Sequence, residues 1–231
     1  MTTTLITGAN KGLGFETARR LIDLGHTVYL GARDVGRGQA AADALGARFL
    51  PLDVTDDASV TAAAATIMKE VGHLDVLVNN AGIAGTSTSP ELATGADALA
   101  VFDTNVASVV RTTAAFLPLL RGSASPVIVN VSSGLGSFDR THDTERIESQ
   151  VPALVYAASK SAVTMLTTQY AKALPGFRIN AADPGYTATD LNGRSGYQTV
   201  QEGTDAIVEL ATLGTDGPTG TFRDRAGTVE W

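Results

Sequence analysis

Tyr156 and Lys160, in the stretch YAASK, stand four residues apart, and on a helix residues so spaced share a face. A phenol alone, with a pKa near 10, is poorly matched to proton transfer at neutral pH. An ammonium beside it favours the phenolate and lowers that pKa, and a shift of about three units takes about 4 kcal/mol of differential stabilisation. The pair reads as a proton-transfer group with its own tuner. An ordinary amphipathic helix with an exposed lysine carries the same spacing, so the pair needs company before it means chemistry.

Company is present upstream. Ser133 ends the apolar run VIVNVSS, where its hydroxyl would stand over the carboxyl end of a strand and donate to a substrate oxygen, while Ser132 alternates to the other face. TGANKGLG sets Gly8, Gly12 and Gly14 between an apolar run and the amphipathic FETARRLIDLG. A glycine-rich turn there lets the backbone approach a pyrophosphate, which the N–H groups and positive end of the following helix hold. The spacing is G-x3-G-x-G, not the commonest dinucleotide fingerprint, and a plain tight turn would use the same glycines. LPLDVTDD puts Asp53 where it can accept from an adenine amino group or cap the next helix. VLVNNAGIAG puts Asn79, Asn80, Ala81 and Gly82 where small residues leave room for a ribose or close a turn. Four such features at successive strand ends argue jointly for a dinucleotide site.

Short β-branched or apolar runs (TTTLIT, TVYLGA, ARFLPL, DVLVNN, PVIVNVSS, FRINAADP) alternate with helical stretches, among them about Asp56 to Val71, about Glu91 to Leu120, and Tyr156 to about Ala173. That is the βαβ signature of a parallel sheet with helices on both faces. No linker, low-complexity tract or repeat interrupts it. We expect one doubly wound α/β domain of Rossmann type, three layers deep, spanning residues 1–231.

Composition narrows the function classes. A net charge of −7 with thinly spread Lys and Arg argues against a nucleic-acid or anionic-membrane footprint. No cysteine is present, which removes disulfides, thiolates and Cys-based zinc sites and suits a reducing compartment. His26, His73 and His142 show no metal-ligand spacing, so no metal is expected. The start MTTTLITGAN lacks the features of a signal peptide, and no apolar stretch nears the ~18 residues of a membrane span. A cytoplasmic location follows as an expectation. Asn130-Val131-Ser132 fits a glycosylation acceptor only by pattern.

In their order, TGxxxGxG, NNAG, the Asn of FDTNV, the paired serines, YxxxK and PGxxxT make the chain resemble the single-domain short-chain dehydrogenase/reductase family over essentially its whole length. TGANKG, GARDVGRGQAA, LDVLVNNAGIAG and GPTGTF most resemble carbonyl reductases. The resemblance implies a catalytic set of Asn105, Ser133, Tyr156 and Lys160. Asn105 would kink its helix and hold a water in a relay to Lys160. Lys160 would also reach the ribose hydroxyls. It implies cofactor contacts from Gly8, Asn10, Lys11, Gly12, Leu13, Gly14, Arg33, Asp53, Val54, Asn80, Ala81, Gly82, Tyr156, Lys160, Pro184, Gly185, Thr187 and Thr189. Thr187 replaces the family's usual aliphatic residue, a change without effect if the contact there is made by backbone.

The 22 residues from Gly134 to Val155 form a longer link than most members have. Carbonyl reductases carry a larger insertion there, which blocks pairing of the Glu91-to-Leu120 and Tyr156-to-Ala173 helices between subunits. With a shorter link and the mixed face of MLTTQYAKAL, a homodimer is expected. The core of the link, DRTHDTERIES, reads as a short helix beside the substrate mouth or as a solvated flap.

Cofactor choice is addressed through charge. The second strand ends at Ala32, where NAD-using relatives commonly carry an acid, and Arg33 follows, with Lys11 in the glycine loop. Asp34 is the objection, but it is placed to cap the next helix. The expected activity is NADPH-dependent reduction of a ketone, aldehyde or quinone. NAD-linked alcohol oxidation with the same residues is the alternative. A catalytically silent dinucleotide sensor is a third reading, but such proteins commonly lose the Tyr or Lys.

Overall fold

The alternating runs become strands and helices in turn in a computed structural model that describes residues 1–85 and 89–231. The first half comprises β1 (Thr3–Ile6), α1 (Gly12–Asp23), β2 (Thr27–Ala32), α2 (Val35–Leu45), β3 (Arg48–Pro51), α3 (Asp57–Glu70) and β4 (Val76–Asn79). Then come α4 (Gly95–Phe102), α5 (Ser108–Leu120), β5 (Val127–Val131), α6 (Phe138–His142), α7 (Leu154–Ala173) and β6 (Arg178–Ala182). Last are α8 (Val200–Gly203), α9 (Asp205–Ala211), β7 (Phe222–Asp224) and β8 (Gly227–Thr228).

The strands form one eight-stranded sheet in the order β3-β2-β1-β4-β5-β6-β7-β8, parallel except for the final β7–β8 pair. Both faces are covered, which is why the strands read as continuous apolar runs. Leu5, Tyr29 and Ile128 enter one core beneath α3 and α5 residues, while Ile6, Val28, Leu30, Val127 and Val129 enter the other with α1 and α9 residues. Each fully buried aliphatic or aromatic side chain contributes about 1.5–3 kcal/mol. The expected single α/β domain with three layers is what forms. Strand order reverses between β1 and β4, and the crevice beyond their carboxyl ends is where such sheets receive ligands.

Two departures from the sequence reading matter. The helix expected from about Glu91 begins at Gly95, because Thr94 caps it by accepting the Asp97 N–H at 3.1 Å. It is then interrupted by a π-helical turn, Asp103–Ala107, before α5. The C-terminal elements were not foreseen: β7, β8 and α8 are too short for a periodic signal, and α9 is buried nearly all round, so it shows none.

Candidate active site

The loop after β1 needs glycine for two separate reasons. Gly8 and Gly12 have φ of +63° and +57°, the left-handed region that side chains disfavour. Gly14 has no such φ, but a Cβ there would lie 2.6 Å from Asn80 Nδ2 and 2.8 Å from Ala9 Cα. Asn80 donates through Nδ2 to the carbonyls of Thr7 (2.8 Å) and Gly8 (3.1 Å). The N–H groups of Asn80 and Ala81 both donate to the Thr7 hydroxyl at 3.0 Å. The two loops at the crevice are thus laced together by backbone and amide bonds.

α1 begins here without a side-chain cap, whereas α2, α3 and α4 are capped by Asp34, Asp56 and Thr94. Its first N–H groups are therefore available to a phosphate. Leu13 turns into the core, and Asn10 is half-buried in the loop. These features fit a dinucleotide pyrophosphate.

The four catalytic candidates come together at the carboxyl ends of β4 and β5. Asn105 is 2% exposed and sits inside the π turn, so the kink expected from the family resemblance is present. Its amide staples the backbone of Ile83: Oδ1 accepts that N–H at 2.8 Å and Nδ2 donates to the carbonyl at 2.9 Å. Nδ2 also donates to Ser159 Oγ at 3.0 Å. Both ends of the amide are thus engaged, and Oδ1 keeps one lone pair free. A Cβ on Gly82 would stand 3.3 Å from Asn105 Oδ1 and 3.6 Å from Lys160 Nζ, space that glycine leaves open.

Lys160 is buried and donates to the Val131 carbonyl at 2.8 Å, with Nζ 5.6 Å from the centre of the Tyr156 ring. Burial lowers its pKa to about 8, against a smaller rise from the nearby Asp183. Tyr156 is half-buried at the cleft. Here the expectation of a lowered phenol pKa is corrected: enclosure by protein pushes it up to about 12, a hydrogen bond from Ser133 offsets only part of this, and the Asp183 charge adds to the rise. Sequence showed the ammonium but not the desolvation, and desolvation is the larger effect. Ser133 Oγ accepts the Leu135 N–H at 3.3 Å, which leaves its proton for the Tyr156 phenol. Ser132 instead donates to the Lys160 carbonyl at 3.1 Å, on the other face as expected.

The remaining cofactor candidates are dispersed around the crevice. Arg33, after β2, is exposed and makes no hydrogen bond or ion pair among the described residues. Asp34 caps α2 by accepting the Arg37 N–H at 2.9 Å. Lys11 is engaged by Asp190 at 3.0 Å. Asp53 does not cap α3; its Oδ1 accepts the Thr55 N–H and hydroxyl, which hold its pKa low. Val54 is buried, and its carbonyl accepts from Arg111 at 2.6 Å. In the loop after β6, Pro184 accepts the Thr187 hydroxyl through its carbonyl at 2.8 Å, so the Thr187 side chain folds inward. The Thr187 N–H donates to the Gly185 carbonyl at 2.9 Å, and its own carbonyl accepts from Asn192 at 2.8 Å. Its backbone groups are therefore already engaged in this structure. Thr189 lies over the glycine loop, its methyl 3.9 Å from a Cβ placed on Gly12.

Beside Ser133 opens a cavity of about 280 Å³, lined by apolar Leu135, Ile147, Val151, Tyr186 and Tyr197 and by charged groups that include Glu148. The link from Gly134 to Val155 supplies one wall, through α6 and a 3-10 turn at Ile147–Gln150. It does form short helix beside the cleft. The sequence reading missed the charged residues beneath that wall, Arg140, Glu148, Asp183 and Asp224, because no motif marks them.

Residues 2–199 match the family described as short chain dehydrogenase. The short-chain dehydrogenase anuI of Penicillium roqueforti is 37% identical, over 91% of this chain and 88% of that protein. The (-)-isopiperitenone reductase of Mentha piperita is 34% identical, over 96% of each. Among solved structures, the NADPH-bound carbonyl reductase from chicken fatty liver superposes with a TM-score of 0.89 at 29% identity, covering 100% of this chain and 99% of that one.

Proposed function

The chain belongs to the short-chain dehydrogenase family, and on that premise we propose that it reduces a ketone, aldehyde or quinone, with NADPH as the reductant and Tyr156 as the proton donor. The carrying observation is the meeting of Tyr156 and Lys160 with Ser133, which itself lines the part-apolar cavity. NADPH, when bound, supplies the hydride. The substrate oxygen is received between the Ser133 hydroxyl, which turns its proton from the phenol to the substrate, and the phenol, which donates its own. Enclosure keeps the phenol protonated at neutral pH, the state that reduction requires, but also makes it a weak acid, which the Lys160 ammonium must offset. As the proton leaves, the Lys160 ammonium faces the developing phenolate.

The preference for NADPH rests on Arg33, an exposed cation at the end of β2 with no hydrogen bond or ion pair among the described residues although its charge reaches Asp53, and on Asp34, whose carboxylate is committed to α2. It also rests on the carbonyl reductase neighbour, which carries NADPH. The test is a panel of carbonyl compounds followed by cofactor absorbance. Tyr156→Phe keeps the ring and removes the proton, so kcat should fall by about 10²–10⁴-fold while NADPH affinity holds. Retention of most activity by that variant would overturn the mechanism.

A homodimer through the faces of α4, α5 and α7 belongs to the same reading. Leu99, Val110 and Met165 stand exposed on these helices, apolar side chains that such a pairing would cover. Light scattering at micromolar concentration should show twice the chain mass; monomer alone would count against the pairing.

A further inference from the structure

Asp183 follows β6 directly before Pro184 and is 2% exposed. Its Oδ1 accepts the Gly185 N–H at 2.9 Å, and the N–H of Gly134, next to Ser133, also serves the carboxylate. Its Oδ2 takes Arg140 Nη1 at 2.7 Å. Arg140, itself 9% exposed, rides on α6, and its Nη2 reaches Asp224 at the end of β7 at 2.5 Å. Glu148 stands 3.7 Å from the same guanidinium and is held by Arg146 at 3.0 Å. A carboxylate so enclosed needs a matched charge. One planar guanidinium can answer two of them at once.

We propose that Arg140 and Asp183 form a positioning pair for the active centre. Arg140, carried by the link, holds the Asp183 carboxylate against the backbone of Gly134 and Gly185. The pair thereby sets the loop bearing Ser133 against the loop after β6, and it balances a charge that faces Tyr156 and Lys160. The inference rests on the reading of Tyr156 as the acid.

Tyr156 and Lys160 are faced by Asp183 from the end of β6 and by Ser133 from the end of β5. Asp183 in turn is faced by Arg140, Glu148 and Arg146 from the link, by Asp224 from β7 and by Lys160 from α7. The Asp183 charge raises the pKa of both Tyr156 and Lys160, so the balance of the pair shows in the alkaline limb of the reduction, where the two groups titrate together.

The test uses Arg140→Gln, Asp183→Asn and the double variant. Burial already raises the Asp183 pKa and Arg140 opposes that rise. In Arg140→Gln the carboxylate is therefore ionised only at higher pH, but across the alkaline limb it is charged and uncompensated, so that limb of kcat/KM should move to higher pH. Asp183→Asn should move it to lower pH, and the double variant should return it close to wild type. A loosened Ser133 loop should also cost about tenfold or more in kcat for Arg140→Gln. Limbs that coincide in all four proteins, or single variants that shift in the same direction, would overturn the proposal. Hydrogen exchange without cofactor gives a readout independent of turnover: exchange at the Gly134 and Gly185 amides should quicken in both single variants, and unchanged exchange there would also overturn it. If the wild-type protein reduces no carbonyl, the functional reading fails, and exchange alone decides the pair. Should Arg140→Gln fail to fold, Asp183→Asn and the neutral double variant still carry both measurements.

Discussion

The two flanks of the crevice are held by different means. On the β1–β4 flank the work is done by glycines and by amide bonds, with Gly14 against Asn80 and Asn80 against the carbonyls of Thr7 and Gly8. On the β6–β7 flank it is done by ionised side chains, with Arg140 bridging Asp183 and Asp224. The first arrangement has little slack, because close-packed backbone cannot yield. The second is adjustable, since a charge network can be retuned by neutralising one member, at a cost set by whichever partner is left unmatched. This division suits a site in which a nucleotide is constant and the other reactant is not.

Gly14→Ala would break the comparison most severely. The added methyl would meet Asn80 Nδ2 at 2.6 Å and the Gly8 carbonyl oxygen at 2.8 Å, so one of the laced loops must move. We expect a stability loss of about 1–3 kcal/mol. We also expect a fall in NADPH affinity of about a hundredfold or more, about 2.8 kcal/mol at 1.4 per tenfold. Gly25→Ala is the control: Gly25 has φ of +87° and nothing within 4 Å of a Cβ. Only the backbone cost of about 1–2 kcal/mol applies there, with cofactor affinity unchanged. Fluorescence titration with thermal melting separates the two. A Gly14→Ala protein that binds NADPH like wild type would show that the first flank has slack after all.

The same division governs what was legible in the sequence. The glycine loop, the Asn-rich loop and the Tyr156–Lys160 pair are each compact in sequence, since backbone geometry and helical spacing act over a few residues. The α2 cap by Asp34 was legible for the same reason. Arg140 read as one charge in a flap, yet its partners lie 43 and 84 residues away, and nothing local marks it as buried. Likewise the direction of the Tyr156 shift depends on how much protein encloses the phenol, which only the packed fold determines. The π turn at Asn105 was foreseen as a kink, but its staple to Ile83 joins residues 22 apart and belongs to the fold as well.

The smallest effect sharpens the comparison at the open end of the first flank. Arg33 is exposed, so its attraction for a ribose phosphate is screened by solvent and salt, in contrast to the buried Arg140. Hydrogen bonds to charged groups contribute about 1.5–3 kcal/mol, and exposure places Arg33 at the lower end. Arg33→Ala should therefore raise the Michaelis constant for NADPH by about tenfold, 1.4 kcal/mol, and leave that for NADH nearly unchanged. Lys11 cannot easily compensate, because it is already paired with Asp190. The preference for NADPH over NADH should also narrow as ionic strength rises, while the pH limb governed by Arg140 and Asp183 should stay where it is, since buried charges are screened far less. Steady-state kinetics with both cofactors at low and high salt reads all of this. Equal efficiency with NADH, or an NADPH constant that Arg33→Ala leaves unmoved, would remove the assignment of NADPH and leave a dinucleotide site without preference.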